Sequence, residues 1–150
     1  MTIEERWQKY RKGLNAIFLP KYDCFEDLVK PLGFAPYSGY RSFAEQDLLY
    51  AQGRSFGNKT VTNARAGTSP HQWGAAIDCA CFDGRKDIFN ADWDTYGAMA
   101  AKANLVWGGD FKMVDKPHVE LLINVPWSHV LRAFNMDPAG IDLFIKSVSI

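Results

Sequence analysis

A short segment of the chain contains a histidine and an aspartate seven positions apart, His71 and Asp78, with small residues between them. Imidazole nitrogens and carboxylate oxygens both bind divalent metals such as zinc. Gly74, Ala75 and Ala76 allow the backbone to bend closely around an ion. The segment is therefore one half of a candidate metal site.

A second segment, residues 115–120, supplies the other groups that such a site needs. His118 is a third possible ligand, and Asp115 is a spare carboxylate three residues earlier. Three protein ligands leave a fourth tetrahedral position open for water, as in catalytic rather than structural zinc sites. Asp115 beside that water could accept its proton during attack on a carbonyl and return it to the leaving amine. If this segment is a strand, Glu120 would share a face with His118. The pattern of ligands and spare carboxylate favours a zinc hydrolase.

Each of these residues also has an ordinary structural interpretation when it is taken alone. A lone histidine such as His71 is more often a hydrogen-bonded structural residue, and Asp-x-x-His occurs in many loops. Arg41 could hold a substrate carboxylate or a developing oxyanion, although a surface ion pair is the commoner role of arginine. Ser69 could orient the His71 loop, bind substrate, or simply form a turn. The metal site rests on the combination, because the ligand-type residues lie beside glycine and proline turns in two apolar segments.

Composition and charge limit the class of protein. At 150 residues, with an apolar fraction of 47%, the chain is long enough for one domain with a packed core. Its 17 basic and 17 acidic residues balance, which argues against nucleic-acid binding because such proteins usually carry a basic excess. Three cysteines do not indicate a disulfide framework. Cys79 and Cys81 could bind a soft metal, but we favour small buried apolar residues.

The beginning of the chain carries acidic residues and lacks the apolar stretch of a signal peptide. No apolar run approaches the roughly 20 residues that a membrane-spanning helix requires. These features predict synthesis in the cytoplasm without membrane insertion. If the substrate lies outside a membrane, another factor must release the protein.

Helix and turn signals outline the elements around the candidate ligands. Capping boxes at Thr2 and Ser42 predict helix starts, and Asp23 with Glu26 predicts the start of a second helix. Strands are predicted over residues 34–40, 75–82, 105–107 and 119–123, loops over 54–70 and 83–92, and further helices after Asp92, from Pro126 and after Asp137. The expected fold is α+β, with a small antiparallel sheet that carries the zinc ligands and helices at both ends.

The segment around the first two candidate ligands, Ser69-x-His71-x-x-Gly74-x-Ala76-x-Asp78, resembles the signature of the zinc D-Ala-D-Ala peptidase family. That family includes vancomycin-resistance dipeptidases, DD-carboxypeptidases and the L-alanyl-D-glutamate endopeptidases used as phage endolysins. The likeness covers roughly residues 34–122, in the same order along the chain. The segments that resemble the endolysin branch are Gly39-Tyr40-Arg41-Ser42, Leu49-Tyr50-Ala51-Gln52-Gly53-Arg54, Val61-Thr62-Asn63-Ala64-Arg65, Trp107-Gly108-Gly109-Asp110-Phe111 and Asp115-x-Pro117-His118.

The resemblance implies a fold like that of DD-peptidases and hedgehog signalling domains, with a role for each matching residue. The zinc ligands, one ion per chain, would be His71, Asp78 and His118. Asp115 would be the general base and acid, Arg41 a catalytic and substrate-binding residue, and Ser69 a substrate-binding residue. The carboxypeptidase and dipeptidase branches usually carry glutamate where this chain has Asp115, so the aspartate favours the endopeptidase branch. Pro70 departs from the family pattern, in which that position is often aromatic or polar.

We therefore expect one zinc peptidase domain over residues 1–150, without a separate cell-wall-binding domain. Its substrate would be the stem peptide of bacterial peptidoglycan, and the favoured activity is the L-alanyl-D-glutamate endopeptidase of a phage endolysin. Such a monomer would wait in the cytoplasm and reach the wall, in the periplasm, after release. Two alternatives stay open: a D-alanyl-D-alanine carboxypeptidase, and a non-catalytic zinc-binding virion or structural protein.

Overall fold

The structure is a computed structural model that describes residues 1–57 and 59–150. In this part of the chain, helices alternate with the strands of one antiparallel sheet. The α-helices of this part are α1 (Ile3–Arg11), α2 (Leu19–Val29), α3 (Phe43–Ala51), α4 (Trp93–Lys102), α5 (Trp127–Met136) and α6 (Ile141–Val148). The strands are β1 (Phe34–Ser38), β2 (Ala76–Phe82), β3 (Asp87–Ile88), β4 (Leu105–Trp107) and β5 (His118–Leu121). Position 58 of the predicted 54–70 loop lies outside the described residues.

The sheet has the strand order β1-β2-β5-β4, with the short β3 paired to the end of β2, and all of these pairs are antiparallel. In this register Asp78 lies directly opposite His118 on β5 and opposite Ser38 on β1. Residues directly opposite each other have Cβ atoms about 5 Å apart. Strand pairing therefore places two of the predicted ligands side by side.

The core forms on the face of the sheet opposite the Asp78 and His118 side chains. Ile77 and Cys79 are fully buried there against aromatic side chains of α1, α2 and α4. The core is tied together by hydrogen bonds as well as by packing, since Trp7 Nε1 donates to the Phe34 carbonyl at 3.0 Å. Because side chains alternate along a strand, Asp78 between Ile77 and Cys79 points away from this core. The candidate ligand Asp78 and the core therefore lie on opposite faces of β2.

The predicted helix starts at Thr2 and Ser42 are confirmed. Thr2 Oγ1 accepts a hydrogen bond from Glu5 N at 3.0 Å, and Ser42 Oγ accepts one from Glu45 N at 3.1 Å. In both cases the glutamate carboxylate accepts the N–H of the capping residue, which completes the capping box. Asp92 likewise caps α4, as predicted, by accepting from the Thr95 N–H. These signals are local, so the sequence predicts them well.

The predicted start of the second helix at Asp23 is wrong, because α2 begins at Leu19. Pro20 occupies the first turn of α2, where its missing N–H is not needed. Asp23 therefore lies inside the helix and forms an ion pair with Arg11 at 2.9 Å. The acid that resembled a cap is a partner for a neighbouring helix.

Two larger differences from the sequence prediction concern the loop 83–92 and the last helix. The predicted loop 83–92 contains β3, because the carboxylate of Asp83 accepts the N–H groups of residues 85 and 86 and turns the chain back onto β2. Asp137 does not cap the last helix, since Pro138–Gly140 first form a separate 3-10 turn and α6 begins at Ile141. Within residues 1–57 and 59–150, no helix combines the length and the apolar character that a membrane span requires.

Candidate active site

The three predicted metal ligands lie together on the face of the sheet that is opposite the core. One donor atom from each of His71, Asp78 and His118 lies within 4.8 Å of the other two. Nε2 of His71 is 3.4 Å from Asp78 Oδ2, and Nδ1 of His118 is 3.1 Å from Asp78 Oδ1. Residues from the loop before β2, from β2 and from β5 therefore converge on one point.

This donor set fits zinc. Nitrogen and oxygen ligands about 2 Å from a tetrahedral zinc ion lie about 3.3 Å from one another, which is close to the two separations observed here. The histidines would bind through different ring nitrogens, Nε2 of His71 and Nδ1 of His118. Three protein ligands leave one coordination position for water or substrate.

The three side chains also interact through their charges. Burial acts against the charge of Asp78, but hydrogen bonds from His118 and His71 outweigh burial and lower the pKa of Asp78. Burial also acts against protonation of His118, but hydrogen bonds to Asp78 and Glu120 outweigh burial and raise the pKa of His118. The cluster therefore combines the anionic carboxylate of Asp78 with a neighbouring imidazole, that of His118, which favours its protonated form.

His71 is held by a short 3-10 helix over residues 70–73 that leads into β2. Ser69 caps this helix, and its Oγ accepts the N–H of His71 at 3.3 Å. The Nδ1 atom of His71 lies 2.8 Å from the carbonyl oxygen of Gly39, so Nδ1–H donates and Nε2 is left for a metal. Pro70 suits the first position of the helix because its missing N–H is not needed there.

A glycine ends this 3-10 helix for two physical reasons. Gly74 adopts the left-handed conformation, with φ +62°, which other residues rarely adopt. A Cβ atom at this position would also lie 2.5 Å from the carbonyl oxygen of Gly13. The turn between His71 and Asp78 therefore requires a glycine at this position.

His118 is held from both ends of its ring. Its Nδ1 faces Asp78, and its Nε2 lies 2.6 Å from Oε2 of Glu120. The other oxygen of Glu120 accepts the indole N–H of Trp127, at the start of α5, at 3.1 Å. The prediction that His118 and Glu120 share a face of the strand is confirmed.

All six residues that the sequence nominated line one cavity of about 340 Å³. They are Arg41, Ser69, His71, Asp78, Asp115 and His118. An adjoining groove of about 680 Å³ continues between residues 61–70 and 111–115. Together the cavity and groove form an open cleft, and within it the catalytic and binding roles of these residues stay predictions.

Asp115 lies beside the metal-ligand cluster without belonging to it. Burial of its carboxyl and the nearby charge of Asp78 raise the pKa of Asp115, although His118 and other positive groups act in the opposite direction. A carboxyl group with a raised pKa in a cleft is a candidate for proton transfer. The geometry is therefore compatible with the predicted role of Asp115 as base and acid.

Arg41 is oriented by two hydrogen bonds from its guanidinium. Nη1 donates to Oε1 of Gln46 at 2.8 Å, and Nη2 donates to Oγ of Ser38 at 3.2 Å. Gln46 is fully buried, and its Oε1 also accepts from Gln72 Nε2 at 3.0 Å while its own amide donates to the Ala64 carbonyl. One buried glutamine thus connects the arginine, the His71 turn and the loop above the cleft.

The segment that carries Asp115 is fixed by Trp107. The indole N–H of Trp107 donates to the carbonyl oxygen of Lys116 at 2.8 Å. The indole ring lies directly against Gly97 and Gly109, where any added Cβ atom would overlap it. The Trp-Gly-Gly sequence therefore positions the Asp115–His118 segment through a close contact that only glycine permits.

Sequence reasoning assigned no role to two residues that support the site, Gln46 and Glu120. For Glu120 a signal existed, since it lies two residues after His118 on the same strand face. For Gln46 the signal was weak, because a polar residue in the first turn of α3 is usually exposed, whereas this one is buried.

Comparison with known proteins finds similarity over the part of the chain that carries the site. Residues 62–121, which include both histidines, match the model of a family described as D-alanyl-D-alanine carboxypeptidase. A curated relative, the peptidoglycan L-alanyl-D-glutamate endopeptidase CwlK of Bacillus subtilis, is 39% identical over 99 residues, covering 57% of this chain and 59% of the relative. The chain thus spans about three fifths of the length of that relative.

Two solved structures share the fold. The L-Ala D-Glu endopeptidase ChiX of Serratia marcescens superposes with a TM-score of 0.52 at 20% identity, covering 89% of this chain and 91% of that chain. The vancomycin-resistance D,D-dipeptidase VanXYg gives 0.50 at 18% identity, covering 85% and 57%. At these identities the likeness concerns the fold alone, and it confirms the predicted α+β architecture. The match over residues 62–121 and the similarity to CwlK confirm the resemblance of this chain to the zinc D-Ala-D-Ala peptidase family.

Proposed function

We propose that this protein is a zinc-dependent peptidoglycan hydrolase that cleaves the L-alanyl-D-glutamate bond of the stem peptide. The observation that carries the proposal is the His71–Asp78–His118 cluster, which opens into a cleft beside Asp115 and Arg41. The choice of bond is supported by CwlK, whose name states this activity and which is 39% identical over 99 residues. The aspartate at position 115 favours the same branch.

The reaction is amide hydrolysis, in which water adds to the carbonyl carbon, the C–N bond breaks, and a carboxylate and an amine are released. Zinc bound by the three ligands would supply a Lewis acid and lower the pKa of water to about 7. Asp115 would accept a proton from the attacking water and deliver it to the leaving nitrogen. Arg41, held by Gln46 and Ser38, would stabilise negative charge as it develops on the carbonyl oxygen. Ser69 would contact substrate at the cleft edge.

Digestion of purified cell walls tests the proposed bond. We expect the protein to release fragments with new N-terminal D-glutamate, and we expect the chelator EDTA or the substitution His118→Ala to abolish this release. Zinc content should be one ion per chain in the unsubstituted protein. An intact wall after digestion with the zinc-loaded protein would contradict the proposal.

A second candidate activity is that of a D-alanyl-D-alanine carboxypeptidase. The description of the family model that matches residues 62–121 favours it. The same digest distinguishes the two activities, because a carboxypeptidase would release free D-alanine and create no new N-terminal D-glutamate. Zinc binding without any wall hydrolysis would instead indicate a non-catalytic zinc-binding or virion structural protein.

We further propose that the protein is a monomeric phage endolysin that reaches the wall only after the membrane is opened. The segments around Arg41 and residues 49–54, which resemble the endolysin branch, support this role. Expression in the bacterial cytoplasm should leave the culture intact until a pore-forming protein or chloroform opens the membrane, and turbidity should then fall. Lysis without membrane opening would contradict the proposed route.

A further inference from the structure

Glu120 contacts the candidate metal site although it is not one of the three ligands. Its Oε2 lies 2.6 Å from Nε2 of His118, and its Oε1 accepts the indole N–H of Trp127 at 3.1 Å. Its cross-strand neighbours are the apolar residues Ala76 on β2 and Val106 on β4. In the described part of the chain, two donors hold the carboxylate, one at each oxygen.

The contact with Glu120 decides which nitrogen of His118 is available to a metal. A neutral imidazole carries one N–H and one lone pair. If Nε2–H donates to the carboxylate, the lone pair lies on Nδ1, which faces Asp78 at 3.1 Å. One ring nitrogen of His71 also donates a hydrogen bond and leaves the other for a metal. The donor here is Nδ1–H, and the acceptor is a backbone carbonyl, that of Gly39. The two ligands thus have supports of different kinds, one neutral and one charged.

Trp127 gives this arrangement an anchor outside the sheet. It is the first residue of α5, so its indole N–H links the Glu120 carboxylate to a helix that contributes none of the metal ligands. With one oxygen held by Trp127, the other is directed at the imidazole. Ligand histidines whose second nitrogen donates to a carboxylate are fixed in both orientation and tautomer, and the carboxylate raises their basicity.

We propose that Glu120 is a positioning residue that orients His118 and sets its metal-binding tautomer, with Trp127 as its anchor. The inference rests on the proposed zinc site and adds to it a charged support beyond the three ligands and Asp115. Loss of such a support typically weakens metal affinity by about 10- to 100-fold.

Zinc affinity, measured by competition with a chromophoric chelator, tests the inference independently of wall hydrolysis. We expect Glu120→Ala to weaken zinc binding by about 10- to 100-fold. Glu120→Gln should also weaken it, because His118 and Trp127 face different oxygens of Glu120 and glutamine places an NH2 group, which cannot accept, at one of the two positions. The double variant Glu120→Gln with Trp127→Phe should recover affinity relative to Glu120→Gln alone, since the oxygen is then free to accept from His118.

The control is Glu4→Gln, the same change at an exposed position on α1, which should leave zinc affinity unchanged. Far-UV circular dichroism of the chelator-treated variants establishes that each one is folded. If Glu120→Ala fails to fold, the near-isosteric glutamine variants decide the question.

Three results would overturn one or both proposals. Zinc affinity within twofold of the unsubstituted protein in folded Glu120→Ala would overturn the inference while leaving the zinc site intact. A double variant that binds zinc no more tightly than Glu120→Gln would overturn the tautomer argument. Failure of the unsubstituted protein itself to bind zinc would overturn the proposed function and this inference together.

Discussion

At the scale of single residues, the two candidate histidine ligands present opposite ring nitrogens to Asp78. His71 does so because the Gly39 carbonyl takes its Nδ1–H, and His118 because Glu120 takes its Nε2–H. The sequence was sufficient to nominate both histidines and Asp78 from residue type and spacing. It could not assign the ring nitrogens, because those depend on acceptors that the fold brings to each ring.

At the same scale, we predict that Asp115→Asn lowers the rate of wall hydrolysis by about 100- to 10,000-fold, the usual contribution of a general base. Asparagine has the same shape but cannot take up the proton from water. Zinc content should be unchanged, because Asp115 is outside the ligand cluster. Rates on purified walls and metal analysis check both parts.

The matched control for Asp115 is Asp110→Asn, an exposed aspartate of the same connecting segment that does not line the cleft. It should retain full activity. Undiminished hydrolysis by Asp115→Asn would show that another group transfers the proton.

A second prediction at this scale concerns protons released on zinc binding. Hydrogen bonds to Asp78 and Glu120 raise the pKa of His118 above its ordinary value of 6.5, so near neutral pH zinc must displace a proton from this ring. Apparent zinc affinity should therefore rise as pH increases from 6 to 8. Across this range the His118 ring should release close to one proton for each zinc ion bound. Calorimetry in buffers of different ionisation enthalpy measures this number. Zinc binding with no proton release at pH 7 would contradict the assignment.

At the scale of secondary-structure elements, the site depends on how a helix, a turn and a loop are joined. The capping box that starts α3 is a local signal, and the sequence predicts it correctly. The role of Gln46, in the same first turn, was not predictable, because its three partners lie on Arg41, Gln72 and Ala64. Elements that are correctly predicted one by one therefore do not reveal the network that joins them.

We predict that Gln46→Leu destabilises the protein by at least about 2 kcal/mol, because buried polar groups left without partners cost about 1–3 kcal/mol each. Leucine fills a similar volume but can neither accept from Arg41 and Gln72 nor donate to the Ala64 carbonyl. Urea unfolding measures the loss. Gln8→Leu on the exposed face of α1 is the control, with an expected change within about 0.5 kcal/mol. Equal stability of the two variants would contradict a structural role for Gln46.

At the scale of the whole molecule, the core and the cleft are separated by the sheet. The buried aromatic cluster around Trp7, Tyr22 and Tyr96 lies on the face occupied by Ile77 and Cys79. The metal-ligand cluster uses the opposite side of the same strand through Asp78. Folding should therefore not require the metal, whereas the metal should stabilise the fold by binding the native state.

We accordingly predict that chelator-treated protein keeps its helical circular dichroism and that zinc raises its melting temperature. At zinc concentrations 100-fold above Kd, binding adds about 2.7 kcal/mol, which corresponds to roughly 5–10 °C for a domain of this size. Thermal scans with and without zinc measure the shift, and His118→Ala should show much less of it. Loss of secondary structure on chelation would mean that the metal is part of the folding core.

The sequence by itself determined the ligand types and their spacing, the helix caps at Thr2 and Ser42, and the resemblance that points to a zinc peptidase. These features depend on neighbouring residues, so they are present in the chain before it folds. The tertiary structure decided which groups meet. The register that sets Asp78 opposite His118, the Gly39 carbonyl behind His71 and the Gln46 network all join residues far apart in sequence. Such contacts depend on how strands and helices pack, and that packing depends on the whole chain rather than on any single segment.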